Sequence, residues 1–348
     1  MATARCCGAA SGASADESPA ARRPARAVFR SGSTRLIYSH PVFLEHDPGP
    51  GHPESPQRLE AVLQALQDPR FAALPRRLAP RASRTQLAAV HDSELIDLLE
   101  SHAPRTGRIR LDPDTAMSPA SLDAALRAAG AVCSAVDAVI AGPGRRAFCA
   151  VRPPGHHATR NQAMGFCLLN SVAIGARHAQ RAYGIERIVI VDFDVHHGNG
   201  TQDVFWDDAG VLYASSHQFP LYPGTGRAAE HGGSGNVINA ELPPGTGSKD
   251  FRAAWRELVL PAIIAFQPEL VLVSAGFDAH RLDPLANLDL ATGDFAWITR
   301  ELVDIAERHA RGRIVSSLEG GYSLTALRES THAHCAALFG LETPTQAG

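Results

Sequence analysis

Short apolar runs recur along the chain after residue 34: Leu36–Tyr38, Ala147–Val151, Ile188–Phe193, Val211–Ser215, Val237–Leu242, Leu270–Ser274 and Ile314–Leu318. Each is strand-sized, and several are β-branched nearly throughout, the pattern of a strand buried on both faces. Between them, apolar positions repeat at helical spacing over Pro56–Gln67, Asp92–Glu100, Pro119–Ile140, Leu168–Tyr183, Ser248–Phe266 and Thr292–Ala310, with a last helix after Tyr322. Strands that need cover on both faces, separated by helices, predict an α/β fold: one domain with a central, mostly parallel sheet between two helical layers. Neither an internal repeat nor a linker-like stretch interrupts residues 35–342, so these are read as one domain. Parallel sheets carry their chemistry just beyond the carboxyl ends of the strands, which says where to look for it.

Residues 1–34 break the pattern. They are rich in Ala, Ser, Gly and Arg, with five arginines against only Asp16 and Glu17 and no apolar core of a secretory signal. A disordered basic tail is the expectation there, with a transit peptide or an overextended start as alternatives. Elsewhere, the 33 basic and 36 acidic residues nearly cancel, to a formal charge of −3, so bulk positive charge toward nucleic acid is excluded. Of the basic residues only Lys249 is a lysine, which leaves ionisable chemistry to carboxylates and the 16 histidines. Six cysteines without a C-x-x-C pair suit a reducing, cytoplasmic setting. No apolar stretch approaches the ~18 residues that span a bilayer, so a membrane partner is not expected.

Four strand ends do carry reactive side chains. The run Ile188–Val191 passes into Asp192-Phe-Asp-Val-His-His-Gly-Asn-Gly200, where Asp192, Asp194 and His196 alternate as on one face of a strand and form half of a possible metal site. Ala147–Val151 passes into Arg152-Pro-Pro-Gly-His-His-Ala158, whose adjacent histidines suit acid–base work near neutral pH. Leu270–Ser274 exits into a loop that offers Asp278, His280 and Asp283 as further ligands. Ile314–Leu318 exits into Glu319-Gly-Gly-Tyr322, where two glycines allow a close backbone approach and present a phenol that could donate to an oxyanion. The bland readings are a hydrogen-bonded Asp/His pair, a surface turn and a packing tyrosine, and each holds for its motif taken alone.

Together with Gly165-Phe-Cys-Leu-Leu-Asn170, Tyr222-Pro-Gly-Thr-Gly226, Ser274-Ala-Gly-Phe-Asp-Ala-His280 and His52-Pro-Glu-x-Pro-x-Arg58, these motifs resemble the zinc-dependent histone deacetylase family, on its class II and bacterial amidohydrolase side, in order over roughly residues 35–340. The resemblance implies an arginase-deacetylase fold and one catalytic zinc held by Asp194, His196 and Asp283, with Leu282 replacing the glycine the family carries before that last aspartate. It implies His157 as general base and acid, His156 as its electrostatic partner oriented by Asp192, Asn199 supporting His157, and Tyr322 donating to the oxyanion of a hydrolysed acetyl amide. Phe166 and Tyr222 would wall the acyl-lysine tunnel. Gly165 would accept the substrate amide N–H through its carbonyl, and Gly321 and Leu290 complete the substrate-binding set. Asp192, Asp194, His196, Ser215 and Ser216 match an inner potassium or sodium site, with Phe205, Asp208 and Val211 supplying carbonyls to an outer one. Members of this branch often form dimers or tetramers, so a homo-oligomer is a further expectation.

A two-manganese ureohydrolase of the arginase type is disfavoured because Gly198 stands where a bridging carboxylate would be needed. A non-catalytic module binding acylated amines is disfavoured by the completeness of the set. Acetylated lysine in a peptide or protein, an acetylpolyamine, or another small acetylated amine all suit the same residues. Leucine at 290, read as lying near the tunnel mouth, tilts the expectation away from cationic polyamines. Asp112 or Asp114 is expected either to meet a substrate backbone or to cap a helix.

Overall fold

The apolar runs do become strands, and the sheet they make is wholly parallel. The computed structural model describes residues 35–141 and 145–341, so the expectation for residues 1–34 lies outside the described residues, as does residue 342. Its strands in chain order are β1 (Arg35–Ser39), β2 (Arg76–Leu78), β3 (Ile109–Arg110), β4 (Ala116–Met117), β5 (Arg146–Cys149), β6 (Ile188–Asp192), β7 (Val211–Gln218), β8 (Val237–Leu242), β9 (Leu270–Ala275) and β10 (Ile314–Leu318). Eight of them form one sheet in the order β2-β1-β5-β10-β9-β6-β7-β8, while β3 and β4 pair as a small antiparallel ribbon. Every residue of β6, β7, β9 and β10 is buried, as the unbroken apolar runs require of strands covered on both faces.

The strand order concentrates the chemistry. From β5 the chain skips two places to β6, runs outward through β7 and β8, and returns to insert β9 and β10 between β6 and β5. The four strands whose exits carry reactive residues are therefore contiguous at the centre of the sheet, as β5-β10-β9-β6. Their register brings Ser317 beside Cys149, Ser274 beside Ser317, and Asp192 beside Ser274 at the same end. A crevice forms outside the carboxyl ends of such a sheet where the winding changes direction.

Helices cover both faces, and two of them show local chemistry at both ends. Helix Ser171–Tyr183 starts on Asn170, whose side chain accepts the Ala173 N–H, and stops at Gly184 in the left-handed region. Ser323 and Gly340 do the same for Leu324–Phe339. The expected helix Ser248–Phe266 is one rod with a π-helical stretch at Trp255–Val259. Helix Ser121–Ala141 is long and apolar enough to cross a membrane by length and composition, which corrects the expectation that no stretch comes near that size. Here it is a core helix, packed on helix Ser171–Tyr183 and on β1, β5 and β10. β2, with its three exposed residues Arg-Arg-Leu, and the two-residue β3 and β4 carry no apolar signal and were not expected.

Candidate active site

The exit of β6 turns sharply, and hydrogen bonds between alternate residues stabilise the turn. Asp192 Oδ1 accepts the Asp194 N–H at 3.2 Å, and Asp194 Oδ1 accepts the His196 N–H at 2.9 Å. His196 then places Nδ1 3.0 Å from Asp194 Oδ1 and 3.3 Å from Asp278 Oδ2. Asp194, His196 and Asp278 are all buried, with ligand atoms within 4.8 Å of one another, and they form the one group among the described residues arranged to hold a metal ion.

Two observations test that fit. Asp278 Oδ1 accepts the Val195 N–H at 2.8 Å, but the buried Asp278 Oδ2 makes no hydrogen bond and meets only the His196 ring, at 3.3 Å, leaving its charge beside Asp194 largely uncompensated unless a cation joins it. The floor of the site is also built of glycine. A Cβ on Gly276 would lie 2.0 Å from Asp194 Oδ2, and one on Gly320 would lie 2.0 Å from Asp278 Oδ2. Gly320 instead gives its N–H to Asp194 Oδ2 at 2.8 Å. Two carboxylates and an imidazole are three protein donors of the oxygen and nitrogen kinds that zinc takes, and these residues fit such a site.

Asp283 does not join this group, contrary to the expectation. Its Oδ2 accepts the N–H groups of Tyr322 at 2.7 Å and Ser323 at 3.2 Å, and its Oδ1 accepts that of Leu285 at 3.1 Å. Burial, together with the Asp278 charge, pushes its pKa up to about 7 against the pull of those three donors. Asp278 and Asp283 lie five residues apart in an irregular loop, where no periodicity says which carboxylate turns inward; the backbone path turns Asp278 to the metal position and Asp283 away from it.

The tandem histidines sit beside the group with rings 4.0 Å apart, in two different electrostatic states. His156 Nδ1 lies 2.9 Å from Asp192 Oδ2, which also accepts the Tyr213 hydroxyl at 3.2 Å. Burial opposes a charge on His156, but the Asp192 and Asp194 carboxylates outweigh it and raise its pKa to about 10. His157 has no such partner. Burial and the neighbouring His156 and His196 charges hold its pKa well below the ordinary histidine value. Asn199 gives its Nδ2 to the His157 carbonyl and to Met164 Sδ, both at 3.4 Å, and this turns its Oδ1 to His157 Nδ1 at 2.8 Å. The amide oxygen can only accept, so Nδ1 carries the hydrogen and Nε2 keeps a free lone pair.

Tyr322 and the aromatic walls complete the crevice. Tyr322 stands edge-on to Phe166 at 5.9 Å, Tyr222 edge-on to His157 at 5.1 Å, and His52 edge-on to Phe166 at 4.7 Å. Gly165 fills the space between walls: with φ of +57°, a Cβ there would lie 2.5 Å from the His157 ring and 3.0 Å from Tyr222. Its carbonyl accepts the Cys167 thiol at 3.3 Å. Phe166 follows at φ of +68°, a strained position for a bulky residue, held by a hydrogen bond from its N–H to Thr115 Oγ1 at 3.1 Å. Asp112 Oδ1 accepts the N–H groups of Asp114 and Thr115, which closes a local turn; no helix starts there, so the helix-capping expectation is not met.

The family model for the histone deacetylase domain matches residues 52–338. The chain belongs to the histone deacetylase family. It is 40% identical over 334 residues to the chloroplastic histone deacetylase 14 of Arabidopsis thaliana, covering 90% of this chain and 78% of that protein. It is 39% identical to the histone deacetylase-like amidohydrolase of Pseudomonas aeruginosa, over 78% of this chain and 73% of that one. A probable deacetylase of Archaeoglobus fulgidus is 40% identical over 83% of this chain and 81% of its own length. Among solved structures, the crystal structure of the HDA15 HD domain superposes with a TM-score of 0.83 at 36% identity, covering 90% of this chain and 91% of that one.

Two further expectations about this deacetylase-family site are changed by the fold. Leu290 is fully buried in the hydrophobic core, its strand-like bridge to His280 folding the loop back on itself, so it does not stand at the tunnel mouth and selects nothing there. The carbonyls of Phe205, Asp208 and Val211 do converge, but they converge on Asn236 Nδ2, at 2.8, 3.1 and 2.9 Å, rather than around an open cation position. Of the inner set, Ser215 Oγ is paired with His217 Nδ1 at 2.9 Å and Ser216 Oγ accepts Trp255 Nε1 at 3.1 Å.

The supporting shell behind Tyr322 was not anticipated in any role. Arg58, fully buried, gives Nε to the Gly321 carbonyl at 2.6 Å and a terminal N–H to that of Glu319 at 2.5 Å, with its guanidinium 4.8 Å from the centre of the Tyr322 ring. Glu54 joins Arg58 to Arg152 through charge-assisted bonds of 2.9 and 2.5 Å. Glu319 reaches the other way: its Oε2 accepts the Gly155 N–H at 2.6 Å and the His156 N–H at 3.2 Å, tying the histidine turn to β10. The signal was present in His52-Pro-Glu-x-Pro-x-Arg58 and in Glu319, but nothing local says that a buried arginine reaches across the sheet.

Proposed function

We propose that this member of the histone deacetylase family is a zinc-dependent amidohydrolase that removes the acetyl group from N-acetyl-lysine in peptides or proteins. The observation that carries the reading is the buried Asp194–His196–Asp278 group, with its Asp278 Oδ2 making no hydrogen bond, beside a histidine pair of which His156 meets a carboxylate and His157 a neutral amide. The names of the relatives, deacetylases and an amidohydrolase, support the substrate bond. With Leu290 in the core, its tilt against cationic amines falls away, and acetylpolyamines remain the competing substrate class.

Asp194, His196 and Asp278 would hold the zinc ion, which would supply Lewis acidity toward the scissile carbonyl and lower the pKa of water toward ~7. The chain's own residues do the rest. Neutral His157 takes a proton on Nε2 as water attacks and returns it to the leaving amine, while His156 stays charged and steadies the developing negative charge. Burial keeps Tyr322 a phenol rather than a phenolate, raising its pKa against the influence of Arg58, so it donates a hydrogen bond to the oxyanion. Phe166, Tyr222 and Gly165 confine the acyl chain. We place the enzyme in the cytoplasm, where the four buried, unpaired cysteines among the described residues stay reduced, and propose a structural potassium or sodium ion at the inner site.

The test compares kcat/KM for an acetyl-lysine peptide with acetylputrescine and acetylspermidine. Preference for the peptide by at least ~10-fold supports the reading, and the reverse order assigns the enzyme to polyamines. Ligand binding without turnover on any of them would make it a binding module.

The histidine pair gives a second expected result. Asn199→Asp puts a carboxylate on His157 Nδ1 where a neutral amide now sits. An adjacent opposite charge favours the protonated ring and raises its pKa by roughly 1–3 units. The active base is neutral His157, so the acid limb of the kcat/KM profile moves to higher pH by that amount. A limb that stays in place would mean that His157 is not the base.

A further inference from the structure

We infer that Asp283 is a positioning residue for Tyr322: its carboxylate fixes the backbone of the loop that presents the phenol. The inference rests on the reading of Tyr322 as oxyanion donor, and it gives the aspartate a task separate from metal binding.

The hydrogen bonds along the loop after β10 show why a further restraint is needed. Up to Gly321 the backbone is held from several sides: the Glu319 and Gly321 carbonyls by Arg58, the Gly320 N–H by Asp194, and the Gly320 carbonyl by the Phe277 N–H at 3.0 Å. Gly321 itself has φ of +120°, a conformation open to glycine and rarely to other residues. The peptide unit that follows Gly321 is held by Arg58 on its carbonyl side, and its other side is the Tyr322 N–H. The first two amides beyond Gly321 are those of Tyr322 and Ser323, and both donate to a single atom, Asp283 Oδ2.

Asp283 is in turn anchored in its own loop. Its N–H donates to the His280 carbonyl at 2.8 Å, and its Oδ1 accepts the Leu285 N–H. An ionised carboxylate offers acceptor sites on both oxygens and no donor, so it can serve all three N–H groups together. An amide cannot: turned to keep its oxygen on Tyr322 and Ser323, it sets an NH2 group against the Leu285 N–H. The geometry thus separates two aspartates of one loop, Asp278 for the metal and Asp283 for the tyrosine.

The experiment measures kcat, KM and metal content for Asp283→Ala and Asp283→Asn, each alone and combined with Tyr322→Phe, on a fluorogenic acetyl-lysine peptide at raised enzyme concentration. A misplacement near 1 Å costs up to ~10²-fold, so Asp283→Ala is expected to lower kcat by roughly 10- to 100-fold with KM within about twofold. Asp283→Asn, which keeps one oxygen for the two amides, is expected to recover part of that loss. Both keep one metal ion per chain. In the Tyr322→Phe background the further loss on Asp283→Ala shrinks to less than about twofold, because the group it positions is gone. Equal losses in both backgrounds, or an unchanged kcat in Asp283→Ala, would overturn the inference. Loss of metal would do the same and return Asp283 to the ligands. If Asp283→Ala does not fold, the same comparison on Asp283→Asn decides. A near wild-type rate for Tyr322→Phe alone removes the oxyanion assignment itself and the inference with it, an outcome visible before any Asp283 variant is considered.

Discussion

Asp278→Asn is expected to purify with well under one metal ion per chain and to lose more than ~10³-fold in turnover, whereas Asp283→Asn keeps its metal. The reason is the carboxylate oxygen that makes no hydrogen bond. Asp278 Oδ1 is already committed to the Val195 N–H, and Oδ2 faces His196 Nδ1 and the Asp194 carboxylate. An amide can keep the Val195 bond, so the fold is preserved, but only by placing NH2 where the cation-binding oxygen was. Removing that negative charge also relieves repulsion between carboxylates, which burial and Asp194 now express as a raised Asp278 pKa. The metal-free variant should therefore be no less stable than metal-free wild type. Metal analysis after gel filtration, with thermal melting before and after chelation, checks both statements. Full metal content in Asp278→Asn and its loss in Asp283→Asn would reverse the assignment.

Tyr322→Phe is the second large effect expected. Removing one preorganised donor to an oxyanion costs ~10²–10³-fold in kcat. The ring remains, so its edge contact with Phe166 and its place near the Arg58 guanidinium are kept, and the change is confined to the hydroxyl. Because that hydroxyl acts on charge present only in the transition state, kcat and kcat/KM should fall together while KM stays close to wild type. Metal content and melting temperature should not move. A rise in KM without loss of kcat would make Tyr322 a substrate-binding residue instead.

How much of this site was legible before folding depends on the kind of signal each residue left. Asp192, Asp194, His196, His156, His157 and Tyr322 follow directly on apolar strands, and a strand fixes where its end points. Asn199 was legible by its place in the same short motif, three residues beyond His196. Leu290 was misplaced because counting residues through a loop assumes a path: the loop doubles back to pair with His280 and sinks the leucine into the core. Arg58, Glu54 and Glu319 left no readable role, since a buried charged network is defined by partners separated by as many as 263 positions in the chain, the separation of Arg58 from Gly321.

The sequence by itself determined the α/β class, the all-buried character of the central strands and the four strand ends that carry chemistry. These follow from side-chain periodicity, which is a local property of the chain. Only the tertiary structure decided that β5, β10, β9 and β6 are neighbours, that Asp278 rather than Asp283 faces the metal position, and that Asn236 draws together three carbonyls. Each of those depends on which backbone segments are brought within about 3 Å of one another. Such contacts arise from the packing of the whole sheet and its crossovers, and residue spacing within a loop does not encode them.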